Sequence, residues 1–336
     1  MKNQTSSLEI SHFPVMLNEI IKISCPAKGG IFVDCTFGGG GYSKKLLQFP
    51  KTNLISFDRD PFALSVAKKL KDKFHKRFNF FQLKFSQMHQ VLNRKVDIII
   101  FDLGLSSFQL NNLKRGFSFN SKETLDMTMG LSDISAQEVV NNLSEKQLKL
   151  IIKILGEEKE ASKIAKNIVK ARALKKIKRV DELVKIIENS KKKKFSNKIN
   201  PSTKTFQALR IFVNKEITEL VNGIISATKF LKPGGKILVV SFHSIEDKIV
   251  KYFFKNFSRN KSRPSRYIPD KNSDRETLFE DYINTVIRPS KKEISKNNPS
   301  RSAKLRFATR SKSKFFYPDN FVSKFYKYLN LENINV

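Results

Sequence analysis

The sequence predicts an α/β fold in which a parallel sheet is interrupted by an all-helical block, on three observations. Strand-like runs alternate with helical stretches over 31–105, no strand-like run occurs over about 110–205, and the alternation then resumes.

The first strand, 31–37, is apolar and runs straight into four consecutive glycines, Gly38 to Gly41. Without Cβ atoms the backbone there can turn tightly and present free N–H groups to a ligand where a helix starts. The second strand, 53–58, closes on Asp58, whose carboxylate could accept hydrogen bonds from both ribose hydroxyls. Together the turn and the acid predict a nucleoside-cofactor site. Pro61 suits the first turn of the next helix, which runs from Ala63 to Leu70. A third strand follows at 78–83. The fourth, through Val96 to Asp102, is continuously apolar, as a central strand covered on both faces should be, and it ends beside the same crevice.

Apolar periodicity over 139–156 and 181–190 predicts helices, with Gly156 as a stop and a strongly charged helix over 157–176. An all-helical block inside an α/β sheet reads as a substrate-recognition insertion, or as an extra-long crossover. Beyond it come a helix, a Pro233-Gly234-Gly235 turn, a strand at 236–242 and another helix. Residues 258–300, rich in Ser, Asn, Arg, Lys and Pro, read as a long basic loop, partly disordered without a partner. A final strand is predicted at 304–310. The aromatic segment after it is either an amphipathic helix packed on the body or a loose tail. The expected organisation is a sheet unit from 1–110 and 206–310, a helical insertion at 111–205 and an extension at 311–336.

The glycine series narrows the cofactor. A dinucleotide fingerprint would place its third glycine where this chain has Ser43. Asp34, beside the turn, would repel a pyrophosphate and attract a cationic amino-acid group. S-adenosylmethionine carries an ammonium and a sulfonium and no phosphate, so it fits better than NAD.

Composition adds a partner. Lys+Arg number 64 against 31 Asp+Glu, a net charge of +33, which points to a polyanion, although a bias toward AT-rich codons also raises Lys, Asn, Ile and Phe. The chain has no run of 18 apolar residues and no signal-like N-terminus, so a cytoplasmic protein that does not enter the membrane is expected. Two cysteines, Cys25 and Cys35, are too few for a zinc site without help from scattered histidines, and no metal is expected.

Six further clusters occur in order: His12-Phe13-Pro14-Val15; Asp102 to Leu110; Arg115 to Phe119 with Leu125-Asp126-Met127; Lys204 to Arg210 with Val213, Asn214 and Glu216; Ser241-Phe242-His243-Ser244 with Glu246 and Asp247; and Asn298 to Ser302. With the glycine turn, this set closely resembles the bacterial 16S ribosomal RNA (cytosine-N4)-methyltransferase family, RsmH or MraW, from His12 to about Arg310. The resemblance implies a class I S-adenosylmethionine-dependent methyltransferase, with a Rossmann-like sheet and an inserted helical domain. It also implies a substrate, N4 of a cytidine in the decoding centre of the small ribosomal subunit.

Carried to these positions, the resemblance puts Gly40, Gly41 and Tyr42 at the methionine end of the cofactor, Asp58 on the ribose and Phe85 against adenine, with Asp102 and Gln109 completing the site. Asp102, Ser106, Ser107 and His243 are the catalytic candidates. Asp102 could equally be a cofactor ligand, and His243 could equally order its loop. Phe117 or Phe119 would stack on the unstacked cytidine or belong to the core, and Lys191 to Lys194 would meet RNA phosphates. Two positions depart from the family: Tyr42 stands for a usual histidine and Thr128 for a usual arginine. The Pro-Pro-aromatic motif of many amino-methylases is absent after Asp102. A catalytically inactive ribosome-assembly factor that kept the cofactor fold is the alternative.

Overall fold

The computed structural model describes residues 14–191, 200–259 and 276–336, the side chain of Ser107 excepted. Among these residues the apolar runs form six strands: β1 (Gly30–Asp34), β2 (Thr52–Phe57), β3 (Phe78–Phe81), β4 (Val96–Asp102), β5 (Leu231–Ser241) and β6 (Lys304–Thr309). They lie in the order β3-β2-β1-β4-β5-β6, with β6 antiparallel to β5 and every other pair parallel. The chain leaves β1 toward β2 on one side and returns to place β4 on the other. This reversal opens a crevice at the carboxyl ends of β1 and β4.

The helices before the insertion are α1 (Leu17–Ser24), α2 (Gly41–Leu46), α3 (Ala63–Phe74) and α4 (Ser107–Asn111). Between β4 and β5 come α5 (Ala136–Asn142), α6 (Glu145–Ile154), α7 (Ala161–Leu174), α8 (Val180–Ser190), α9 (Thr203–Asn214) and α10 (Glu216–Phe230). The periodic stretch 139–156 is thus two helices. Ser144 breaks it by a capping box: its Oγ accepts from the Gln147 amide at 3.3 Å, and the Gln147 side chain accepts from the Ser144 amide at 2.9 Å. Two satisfied N-terminal amides outweigh the continuous apolar pattern.

The expected Pro-Gly-Gly turn lies inside β5, where the register against β4 shifts between Val96 and Ile98 and Gly234 takes a φ of 77°. It is a bulge in a strand, not a boundary. Residues 260–275 of the expected basic loop lie outside the described set, but 276–300 are no loose loop. Leu278 and Phe279 are fully buried, Phe279 packs on Phe253 and Phe254, and α12 (Lys291–Lys296) follows. Two apolar side chains suffice to anchor a stretch whose average composition is polar. The C-terminal segment forms α13 (Asp319–Glu332), which buries Phe321 and Phe325 against α11 (Ser244–Asn256) through Tyr252 and Phe253.

One face of the sheet and the helical block share a continuous core, from Val33, Ile99 and Phe101 to Val139, Ile151, Ile164 and Leu183, and on to α10 and α13. Phe32, Ile98 and Ile100 pack on the other face, toward α1, α2 and α3. Among the described residues no helix is long and apolar enough to cross a membrane.

Candidate functional site

A cavity of about 320 Å³ occupies the crevice between β1 and β4. Its sheet-side wall includes Gly38, Gly41, Asp58, Phe85, Asp102 and Gln109. The glycine turn has φ of 50° at Gly38 and 72° at Gly40, in the left-handed region that side chains disfavour. A Cβ on Gly41 would lie 2.8 Å from that of Pro14, so only glycine lets the N-terminal segment close over the turn. The Gly38 amide donates to Asp58 Oδ2 at 2.6 Å, and Asp58 Oδ1 accepts from the Asp60 amide at 2.8 Å. Burial nevertheless pushes the Asp58 carboxyl up to about 6.

Gly40 and Tyr42 stand one layer behind the cavity wall. Tyr42 is buried, and its hydroxyl donates to the Val15 carbonyl, so the ring bolts α2 to the N-terminal segment. Asp34 is also turned inward. Its carboxylate accepts from Ser43 Oγ at 2.6 Å, and it does not line the cavity, which corrects the expectation that it attracts the cofactor's ammonium directly. Ser43 has taken the place of a fingerprint glycine because its hydroxyl satisfies this buried acid.

Asp102 is the last residue of β4. Its amide donates to Thr36 Oγ1 at 2.7 Å, and its Oδ1 is buried with no hydrogen-bond partner. Burial, helped by the Asp34 carboxyl, pushes Asp102 up to about 7, while the Gly104 amide and the Tyr42 hydroxyl pull the other way. Beyond Asp102, Ser106 lines the cavity and caps α4, accepting from the Gln109 amide at 3.3 Å. Ser107 opens α4. Gln109 is fixed on both sides, since its Oε1 accepts from the Ser106 amide at 2.9 Å and its Nε2 donates to Asp60 at 2.9 Å. Asp60 also receives Arg115 at 2.5 Å.

The opposite wall comes from α10, which presents Glu216, Glu219 and Leu220. Glu216 receives both Arg210 Nε and Arg210 Nη2 at 2.8 Å, and Glu219 accepts from the Ser86 amide and hydroxyl, each at 2.8 Å. Ser86 adjoins Phe85, whose ring packs closely against α10: a Cβ at Gly223 would meet it at 2.5 Å. His243 is the N-cap of α11 and does not line the cavity, whereas Glu246, 2.9 Å from its Nε2, does. Burial opposes the charge on Glu246, but His243 and Arg210 hold its carboxyl below the usual range. Glu216, His243 and Glu246 bring ligand atoms within 4.8 Å of one another, but Arg210 already engages both Glu216 oxygens and supplies the cation.

Thr128 bonds Asp126 at 2.9 Å and leaves the wall to Met129. Phe117 is buried and Phe119 packs edge-on against Phe206, so both belong to the core. The exposed rings near the site are Phe62 and Phe108. Lys191 is ion-paired with Glu158, and Lys192 to Lys194 lie outside the described residues. Sequence reasoning missed Arg59. It reaches from the end of β2 to the carbonyls of Gly130 at 2.9 Å and Asn214 at 2.7 Å, tying the crevice to the helical block. Its place one residue after Asp58 was the available signal.

A largely parallel sheet with a glycine turn after β1 and acids at the ends of β2 and β4 carries the cavity of an α/β methyltransferase that takes S-adenosylmethionine. The model of the MraW methylase family matches residues 9–311, and the chain belongs to that family. A ribosomal RNA small subunit methyltransferase H of Bartonella bacilliformis is 42% identical over 300 residues, covering 89% of this chain and 90% of that protein. One of Ehrlichia ruminantium is 43% identical over 301 residues, 88% of this chain and 98% of its own. Among solved structures, an rRNA methylase from Streptococcus thermophilus aligns over 87% of this chain and 95% of its own at 9% identity, with a TM-score of 0.38.

Proposed function

We propose that this chain transfers a methyl group from S-adenosylmethionine to N4 of a cytidine in the decoding centre of 16S ribosomal RNA, within the small ribosomal subunit. The names of the relatives support ribosomal RNA as the substrate class. The observation that carries the amino-group reading is Asp102 Oδ1, a buried carboxylate oxygen without a hydrogen-bond partner on a residue that lines the cavity.

The residues fit the cofactor. Asp58 would hold the ribose hydroxyls, Phe85 the adenine face, and the amides of Gly38 to Gly41 the methionine end. When bound, S-adenosylmethionine supplies an electrophilic methyl on a sulfonium. What remains for the protein is to aim the cytidine nitrogen along that axis, so positioning is most of the catalysis. The N4 lone pair is delocalised into the ring, and an acceptor beside the amino hydrogens lets the nitrogen rehybridise. Asp102 is that acceptor. Its pKa near 7 lets it take a proton from N4 and release it to water near neutral pH. Ser106 supplies a hydroxyl at the same wall. Ser107, by its place in α4, is a second candidate there. His243 acts through Glu246, which it orients, and Tyr42 acts through the N-terminal segment it anchors. The helical block would receive the RNA, and the exposed rings of Phe62 and Phe108 are the stacking surfaces nearest the site.

The test is to incubate the protein and labelled S-adenosylmethionine with small subunits lacking the modification, digest the RNA and identify the methylated nucleoside by mass spectrometry. N4-methylcytidine is expected. A different methylated nucleoside refutes the target, and cofactor binding without transfer supports the assembly-factor alternative.

A further inference from the structure

The first turn of α10 has no cap of its own. Lys215, in the N-cap position, takes a φ of 49°, and its side chain makes no cap hydrogen bond. A helix start leaves four amides without intrahelical partners, and a lysine, which only donates, cannot satisfy them. The acceptor comes from the far end of the chain. Glu332, the last residue of α13, takes the Ile217 amide at 2.9 Å on one oxygen, and the Thr218 amide at 2.7 Å and Thr218 hydroxyl at 2.6 Å on the other. Ile217 and Thr218 are the second and third residues of α10, the positions a capping side chain normally serves. Glu332 is 1% exposed, and none of the ion pairs among the described residues includes it.

The amides that Glu332 holds are flanked by the two cavity residues of this turn. Glu216 lies on one side, paired with Arg210, and Glu219 on the other, holding Ser86 beside Phe85. The first turn of α10 is therefore a junction. One residue reaches α9, the next two reach α13, and the fourth reaches the loop that presents a ring to the cavity. The family match ends at residue 311, so α13 lies wholly outside it.

We propose that Glu332 is a positioning residue for the cofactor site, a cap supplied from a distant helix of the same chain that makes the extension beyond the family region part of the binding apparatus. Its carboxylate fixes the start of α10, α10 fixes Glu219, and Glu219 fixes the Ser86 loop and the Phe85 face of the cavity. Without the cap, the first turn of α10 frays and the binding-competent arrangement becomes one of several, which weakens apparent affinity by the fraction that remains competent.

The experiment is cofactor binding by the full chain, measured by calorimetry with S-adenosylmethionine and no RNA, so its outcome does not depend on the proposed RNA target. Glu332→Ala removes all three acceptor contacts and should weaken binding about tenfold, the equilibrium equivalent of a lost cap. Glu332→Gln keeps the shape and one acceptor oxygen and should weaken binding about threefold to fivefold, between wild type and Glu332→Ala, a graded rescue that lost packing would not produce. Phe325→Leu loosens α13 without touching the cap, and it should lower thermal stability while leaving affinity within about twofold. Hydrogen exchange without cofactor should show the Ile217 and Thr218 amides faster in the Glu332 variants and not in Phe325→Leu. Should Glu332→Ala fail to fold, Glu332→Gln carries the test with the same twofold threshold. Affinity within twofold of wild type in the folded Glu332 variants overturns the proposal, as does an equal loss in Phe325→Leu.

Discussion

The two walls of the cavity are built by different means. The sheet-side wall is made by segments that each carry their own instructions: a strand, a turn of glycines, an acid at a strand end. The α10 wall is made by side chains that are correct only because distant segments hold them, with Arg210 on Glu216, Ser86 on Glu219 and Glu332 on the amides between. The contrast teaches that backbone chemistry places the reacting end of the site, while side-chain pairing places the face that closes on it. Damage at Asp102, the reacting end, should strike chemistry, and damage to the α10 face that closes on the site should strike affinity.

The largest expected effect is at the sheet wall. Asp102→Asn keeps the shape and removes the proton acceptor, so turnover at saturating cofactor should fall by about two to three orders of magnitude with the fold retained. In the wild type, activity should rise with pH and level off above the Asp102 pKa of about 7. Turnover of the Asn variant near the wild-type rate would reassign the role of Asp102 to cofactor binding.

Next is Gly223→Ala, which would push a Cβ into the Phe85 ring at 2.5 Å. Overpacking of this kind costs about 1–3 kcal/mol. Because the ring faces the cavity, the loss should appear in cofactor affinity more than in turnover at saturation. A drop in turnover with unchanged affinity would contradict the division of labour between the walls.

A smaller effect concerns stability against pH. Asp102 titrates near 7 in the folded protein, above the value of about 4 for an unfolded aspartate. The folded state therefore holds the proton more tightly. The stability this contributes is full below pH ~4 and is lost as pH rises through about 7. Asp34 and Asp58, each near 6, and Glu332, pushed by burial up to about 8, act in the same direction. Melting temperature of the cofactor-free protein should fall from about pH 5 to about pH 7.5, and Asp102→Asn should flatten that fall; an identical slope in the variant would mean another group is responsible.

The smallest effect is a control on the outer face of the helical block. Lys175 pairs with Glu182 at 3.3 Å with its side chain 78% exposed. Lys175→Ala should change stability by no more than a few tenths of a kcal/mol, because water screens such a pair. A larger change by chemical denaturation would show the block to be more finely balanced than its buried core suggests.

Legibility followed the same division. Gly41, Asp58 and Asp102 were legible because their residue types sit at a glycine turn or strand ends, where local geometry limits the possibilities, whereas Phe85 and Gln109 came only through the family resemblance; all five line the cavity. Gly40, Tyr42 and His243 came from the same motifs but stand behind the wall, since a motif specifies a neighbourhood and not which of its side chains turns inward. The division of 139–156 by Ser144 was written in a local Ser-x-x-Gln pattern that apolar periodicity masked.

By itself, the sequence determined the alternation of strands and helices, the crevice with its two acids and the class of cofactor from patterns spanning a few residues or one supersecondary unit, and the family from ordered motifs between His12 and about Arg310. Only the tertiary structure decided that the C-terminal aromatic segment is a packed helix, that Arg59 ties the crevice to the helical block, and that Glu332 caps a helix 114 to 115 residues before it. Those depend on which buried groups find a partner once the chain has collapsed. A carboxylate buried without donors is costly wherever it lies along the sequence, and its partner is chosen by proximity in space.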